Sequence, residues 1–266
     1  MTMVLPLTPA TETEALYVYC VARGNAETLL GPIGLDGKWT FTVPHHGLIA
    51  VVHQCKDRPY QSSDPQVVQT WVMAHQDVIQ AATEAFGAVL PMAFDRIVHG
   101  RDGVNATEAL TSWLDEKRQR FDELLDRLAG KAEYGVQVSW DRGVVAAELI
   151  REDAELRALQ EQAIGQPKGL AYLTQQKLVK AVRSAMEQRA DQLAQDFYGR
   201  IRRSVSDVRV DPLKKADGAS TMLLNVSCLM PEGSDELGSE LDEIQKTTGV
   251  TVRFTGPWPP YSFVGG

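Results

Sequence analysis

The chain has 266 residues, enough for one large domain or two ordinary ones. An apolar fraction of 44% and a charged fraction of 23% predict a buried core. A net charge of −8 disfavours phosphate-rich partners, whether nucleic acid or an anionic membrane surface, and the one basic run, Arg200-Ile-Arg-Arg203, is too short to reverse that balance.

Residues 1–14 are rich in Thr and Pro and lack the basic-then-apolar order of a secretory leader, so a disordered tail is expected there. Ala15 to Ala22 is a β-branched and aromatic run that predicts a buried strand. Gly31 to Gly37 is loop chemistry. Trp39–Val43 and Leu48–Val52 read as two strands, with Pro44-His-His-Gly47 as the hairpin between them. Asp64-Pro65 predicts a helix start, since the carboxylate caps free amides and proline suits the first helical position. Val68, Trp71, Val72, His75, Val78, Ile79, Ala82 and Phe86 then share one face. Asn105 with Glu108 has the spacing of a capping box, and Leu110, Trp113, Leu114, Phe121, Leu124, Leu125 and Leu128 form the stripe of a second helix that Gly130 ends.

Beyond Gly130 the pattern restarts. Tyr134, Val136, Val138 and Trp140 alternate with polar or small residues, which is strand periodicity. A helical stretch is predicted over 145–162 and a long helix over 168–203, with Leu178, Val182, Met186, Leu193, Phe197 and Ile201 on one stripe. A brief strand at 208–210 and a longer one at 222–230 follow. Ser234 is placed to cap a short helix, and 250–254 is a last strand. The order strand, helices, strand, strand, helix, strand is that of a split βαβ, ferredoxin-like fold with an enlarged first crossover. The expected fold class is α+β in two domains: an α+β domain over 15–130 and a ferredoxin-like domain with a long helical insertion over 131–266, including an aromatic and proline-rich tail.

Little in the chain points to catalysis. Cys20, Cys55 and Cys228 are odd in number, widely spaced and without a CxxC pair, which fits a reducing cytoplasm rather than a disulfide or zinc framework. His45 and His46 on an extended backbone would point to opposite sides, poor geometry for one metal ion. His75, on an apolar helix face, reads as a core histidine with a hydrogen-bond partner. Gly31 to Lys38 superficially resembles a phosphate loop, but the glycine offset is wrong and Trp39 stands where Ser or Thr would meet magnesium. Asp115-Glu116 and Asp242-Glu243 fall on helix faces expected to be solvated. No catalytic residue, metal ligand or cofactor site is expected.

Thr255-Gly-Pro-Trp-Pro-Pro-Tyr-Ser-Phe263 is the most unusual stretch. Its three prolines lack amide hydrogens, so the segment is expected to leave any regular ladder and form a stiff, polyproline-like strap. Trp258, Tyr261 and Phe263 would then serve either as a latch that closes the core or as an exposed patch that grips a partner; burial of one such ring is worth roughly 2–3 kcal/mol.

This tail motif resembles that of the gas vesicle protein L/F family (GvpL/GvpF). Other blocks agree in order: Leu16-Tyr-Val-Tyr-Cys-Val21, His75 followed by Val89-Leu-Pro-Met-Ala-Phe94, Glu133-Tyr-Gly-Val-Gln-Val138, Lys168-Gly-Leu-Ala-Tyr-Leu173 and Met222-Leu-Leu-Asn-Val226. Cys20 and Asp95 stand where the family commonly has glycine. The resemblance implies a minor structural and assembly protein of gas vesicles, the hollow shells that give microbes buoyancy. It implies binding to the main shell protein and to other gas vesicle accessory proteins, assembly in the cytoplasm, and no enzymatic activity, cofactor, nucleic acid or membrane partner. The alternative is a small-molecule-binding enzyme or regulator on a ferredoxin-like scaffold, which predicts a polar pocket where His45, His46 or His75 converges with acids.

Overall fold

The computed structural model describes residues 14–101, 103–164, 166–214 and 220–265. Apart from Glu14, which opens the first strand, the expected disordered tail lies outside the described residues. The chain divides into two compact units: one runs to Lys131 and takes back the last residues from Trp258, and the other spans Ala132–Pro257.

The first unit is built on β1 (Glu14–Arg23), β2 (Leu29–Gly31), β3 (Thr40–His45), β4 (Leu48–Lys56), α1 (Pro65–Phe86), β5 (Val89–Pro91), β6 (Ile97–His99) and α2 (Ala106–Leu128). The strands form one antiparallel sheet in the order β2-β3-β4-β1-β5, with β6 also paired to β1. Both helix starts follow from local chemistry. Asp64 accepts from the Gln66 amide at 2.8 Å, and Asn105 and Glu108 exchange the two bonds of a capping box. α1 lays Val78, Ile79 and Ala82 on the sheet face that carries Tyr17, Tyr19, Ile49 and Val51. α2 packs against β1, β3, β5 and β6 with Leu110, Leu114, Phe121 and Leu125 buried. Residues of the opposite strand parity, Val18, Val21, Ala50 and Val52, are buried too. The sheet is therefore covered on both sides, which explains why β1 reads as a continuous apolar run rather than an alternating one. The register shifts between Val18 and Cys20, a bulge that lets the consecutive residues Tyr19 and Cys20 join the same core cluster.

The second unit contains β7 (Lys131–Asp141), α3 (Arg142–Glu152), α4 (Ala154–Ile164), α5 (Lys168–Arg203), β8 (Asp207–Val210), β9 (Ser220–Pro231), α6 (Glu236–Gln245) and β10 (Val250–Trp258). Its sheet order β10-β7-β9-β8 is the ferredoxin-like order, with α3, α4 and α5 as the enlarged first crossover. Val136, Val138, Trp140, Val226, Cys228 and Met230 meet Val145, Leu149, Met186, Phe197, Ile201, Leu237 and Ile244 in one core. The predicted single helical stretch over 145–162 is two helices. Asp153 ends α3, and its carboxylate then accepts from the amides of Glu155 and Leu156 at 2.7 and 3.2 Å to start α4. Asp235, not Ser234, occupies the N-cap of α6, with no side-chain cap bond. The basic run at 200–203 is accounted for within the fold: Ile201 is core, Arg200 pairs with Glu240 and Asp196, and the positive charges sit at a helix C-terminus, where the dipole favours them.

The tail departs from the sequence expectation in two ways. β10 continues through Pro257 to Trp258, because an outer strand tolerates a residue without an amide donor. After Pro259 the chain turns into one helical turn, α7 (Tyr261–Val264), instead of an extended strap, and it belongs to the first unit although the sequence reading counted it with the second domain. Burial of Phe263, only 1% exposed, supplies the physical reason.

Candidate functional site

Three places in the molecule have the chemistry or exposure to act. The first lies under α1. β1 places Tyr17 and Tyr19 fully buried, and each hydroxyl relays a hydrogen bond. The Asp95 amide donates to the Tyr17 hydroxyl at 3.0 Å, the hydroxyl donates to His75 Nδ1 at 2.9 Å, and His75 Nε2 donates to the Met92 carbonyl at 3.2 Å. In parallel, the Leu35 amide donates to the Tyr19 hydroxyl at 2.9 Å, and His53 is hydrogen-bonded through Nδ1 to the Tyr19 hydroxyl at 2.7 Å and through Nε2 to the Tyr60 hydroxyl at 2.9 Å. Because a carbonyl can only accept, His75 is the neutral Nε2–H tautomer, and both nitrogens of His53 are engaged by hydroxyls. Burial pushes His53 and His75 down to about 4. Burial likewise pushes the Tyr60 hydroxyl up to about 12 and those of Tyr17 and Tyr19 further still. His75 is thus the hydrogen-bonded core residue that its helix face predicts. Asp95 adopts φ +68°, the conformation that glycine favours, and an aspartate tolerates it while its carboxylate accepts from the Tyr60 amide at 3.0 Å. Gly34 belongs to the same network: a Cβ there would meet the Tyr19 hydroxyl at 2.8 Å and the Lys38 carbonyl at 2.9 Å. Gly34 thus serves close packing, while Gly31 and Gly37 supply positive φ in open space.

The tail joins this region. The Tyr261 ring lies 6.5 Å from that of His75 with 29° between planes, Phe263 is buried, and Arg120 donates to the Val264 carbonyl at 3.2 Å. Of the three aromatics singled out in the sequence, Phe263 is buried, Tyr261 half-buried and Trp258 52% exposed.

The second place is the β3–β4 hairpin. His45 pairs with Leu48, so the loop is only His46-Gly47, and both residues have positive φ, +47° and +91°. That is the geometry of a type I′ turn. It overturns the expectation that His45 and His46 diverge, because that expectation assumed an extended backbone through both. Their ring centroids are 4.1 Å apart. His45 Nε2 lies 2.7 Å from Asp115 Oδ2, and His46 Nδ1 lies 3.0 Å from Asp115 Oδ1. Hydrogen bonds from His45, then His46, hold the Asp115 carboxyl below its ordinary range. Sequence reasoning missed this cluster; the available signal was the X-Gly turn with His at its first position.

The third place is the outer strand β10 of the second unit. Phe254 is 45% exposed and stacks on Tyr134 with centroids 5.3 Å apart and 10° between planes. A cavity of about 540 Å³ between α4 and α5 is lined by Leu170, Leu173, Thr174, Lys177, Lys180 and glutamines, with neither histidine nor carboxylate. The convergence of histidine with an acid that the enzyme alternative calls for is met at His45, His46 and Asp115, on an exposed hairpin rather than in this cavity. Among the described residues no helix is long and apolar enough to cross a membrane.

Comparison with known proteins adds the following. A family model described as gas vesicle synthesis protein GvpL/GvpF matches residues 15–265. Gas vesicle protein L2 of Halobacterium salinarum is 31% identical over 261 residues, covering 94% of this chain and 91% of the relative. Gas vesicle protein F of a Streptomyces species is 32% identical over 255 residues, covering 93% and 98%. The crystal structure of the gas vesicle protein GvpF from Anabaena sp. PCC7120 superposes with a TM-score of 0.73 at 20% identity, over 95% of this chain and 98% of that one. That of GvpF from Microcystis aeruginosa gives 0.64 at 17%, over 94% and 99%.

Proposed function

The chain belongs to the GvpL/GvpF family of gas vesicle synthesis proteins, and from that premise we propose that it is a minor assembly protein that binds the main shell protein and assists nucleation or growth of the vesicle. The proposal includes assembly in the cytoplasm, contacts with other gas vesicle accessory proteins, and no catalytic role. A shell subunit with a large apolar surface aggregates before it is incorporated. A strongly acidic adaptor stays dispersed and keeps such a subunit soluble until it is handed to the growing shell.

The observation that carries this reading is the outer strand β10 with its exposed Phe254. An outer strand accepts a further strand by backbone hydrogen bonding, and exposed aromatic area supplies the side-chain grip. Gln245 Oε1 accepts from the Val252 amide at 2.8 Å, so an incoming strand pairs beside this cap or displaces it. The exposed Trp258 is proposed as a second contact, while Tyr261 and Phe263 are proposed to act as the latch. The test is capture of this protein by the main shell protein, comparing wild type with Phe254→Ala and Trp258→Ala. Each variant is expected to keep its circular dichroism spectrum and to weaken capture by about tenfold. Wild-type capture by both variants would remove β10 and the tail from the binding surface.

A further inference from the structure

We propose that His45, His46 and Asp115 form a site for a divalent transition-metal ion of the zinc class on the surface of the first unit. Two separate features of the fold bring the three side chains together. The two-residue turn forces the adjacent histidines to the same side, and α2, packed against β3, carries Asp115 to meet them. His45 follows Phe41 and Val43 on the same strand face, opposite Val52, Ala50 and Leu48, so its ring is aimed at the helix by the strand's own alternation. His46 holds φ +47°, a conformation costly for most residues with a side chain and one in which histidine is over-represented.

The ligand set and its spacing match zinc chemistry. One ligating atom from each residue lies within 4.8 Å of the other two. Zinc ligands about 2.0–2.2 Å from the ion stand roughly 3.3 Å apart in a tetrahedron; the 2.7 and 3.0 Å contacts, made to different Asp115 oxygens, and the 4.8 Å limit on the set bracket that spacing, so rotation of the three side chains brings them to it. Two imidazoles and a single carboxylate suit zinc and its neighbours, whereas calcium and magnesium require oxygen ligands. For a neutral imidazole the displaced proton moves to the other ring nitrogen, leaving the lone pair for the metal. Side-chain exposures of 22% for His45, 59% for His46 and 47% for Asp115 give an ion direct access from solvent. Three protein ligands leave a further coordination position open to water or to a donor group of another molecule.

The experiment is calorimetric titration of the full chain with zinc chloride, alongside magnesium chloride, for wild type, His46→Asn and Asp115→Asn. Asparagine tolerates the positive φ at 46, so the hairpin is retained. One zinc per chain is expected in wild type, with no saturable magnesium uptake and a loss of affinity of at least about tenfold in each variant. Histidine side-chain NMR signals of His45 and His46 are expected to shift on zinc addition while those of His53 and His75 stay in place. Absence of saturable zinc uptake by wild type, undiminished uptake by both variants, or shifts confined to other histidines would each overturn the assignment.

Discussion

All five histidines sit in the first unit, and four of them form two pairs that differ in depth; the contrast separates what holds the fold from what is free to react. His53 and His75 are 0% and 2% exposed, and both nitrogens of each are taken by tyrosine hydroxyls or a backbone carbonyl. No lone pair remains for a ligand, and protonation would place a charge among aromatic rings. His45 and His46 stand at the opposite side of the same sheet, share one carboxylate and face solvent. The side chain is identical; depth and partner decide whether it is a structural wedge or an available donor. The same division runs through the tail, where Phe263 is buried and Trp258 exposed.

The largest expected effect breaks the buried pair with acid. Burial holds His53 and His75 at about 4 in the folded chain, against an ordinary value near 6.5 once unfolded. Below pH 6.5 the unfolded chain therefore binds protons that the folded one refuses until about pH 4, so stability falls as pH drops through that window. The loss by pH 4 is roughly 2–3 kcal/mol for each histidine, or about 4–6 kcal/mol for the pair. For His53, the positive charge of Lys38 acts in the same direction as burial and Asp36 acts against it. Urea denaturation followed by tyrosine and tryptophan signals at pH 7, 5.5 and 4.5 measures this. His75→Gln is expected to lower stability at pH 7 and to flatten the slope; an unchanged slope would show that the relay is not the acid-sensitive element.

A similar but smaller loss is expected when the tail's anchor is removed. Phe263→Ala deletes a fully buried ring and is expected to cost about 3–4 kcal/mol. Trp258→Ala, at half exposure, is expected to cost less than about 1 kcal/mol. Matched chemical denaturation of the two variants checks the difference. Equal losses would mean that the half-exposed ring is as much a latch as the buried one.

The parts of this fold visible in the sequence are those set by neighbours along the chain. Asp64-Pro65 and the Asn105–Glu108 pair act within one helical turn, and the alternation from Tyr134 to Trp140 declares its strand without reference to any partner. The three-residue strands β2, β5 and β6 escaped because so short a segment has no period to detect; pairing with β3 defines β2, and pairing with β1 defines β5 and β6. The break at Asp153 was hidden by continuous helical propensity on both sides. The tail's return to the first unit joins residues more than 140 positions apart, as with Arg120 and Val264, and no local pattern encodes that. The His45–His46–Asp115 cluster needed both kinds of information: a turn conformation, hinted at by Gly47, and a helix packed 70 residues later.

The smallest expected effect sharpens the contrast from the exposed side. His46→Asn is expected to change stability by no more than about 0.5 kcal/mol, because asparagine suits the first position of a type I′ turn and an exposed hydrogen bond to Asp115 contributes little. His46→Val, by contrast, forces a β-branched residue into φ +47° and is expected to cost about 1–2 kcal/mol. Thermal denaturation of the two variants in metal-free buffer separates backbone strain from side-chain chemistry. A loss above about 1 kcal/mol in His46→Asn would make this histidine a structural residue like its buried counterparts. A neutral result means that the imidazole at this turn is dispensable for folding and stays available as a donor, unlike the buried pair whose nitrogens are committed to the core.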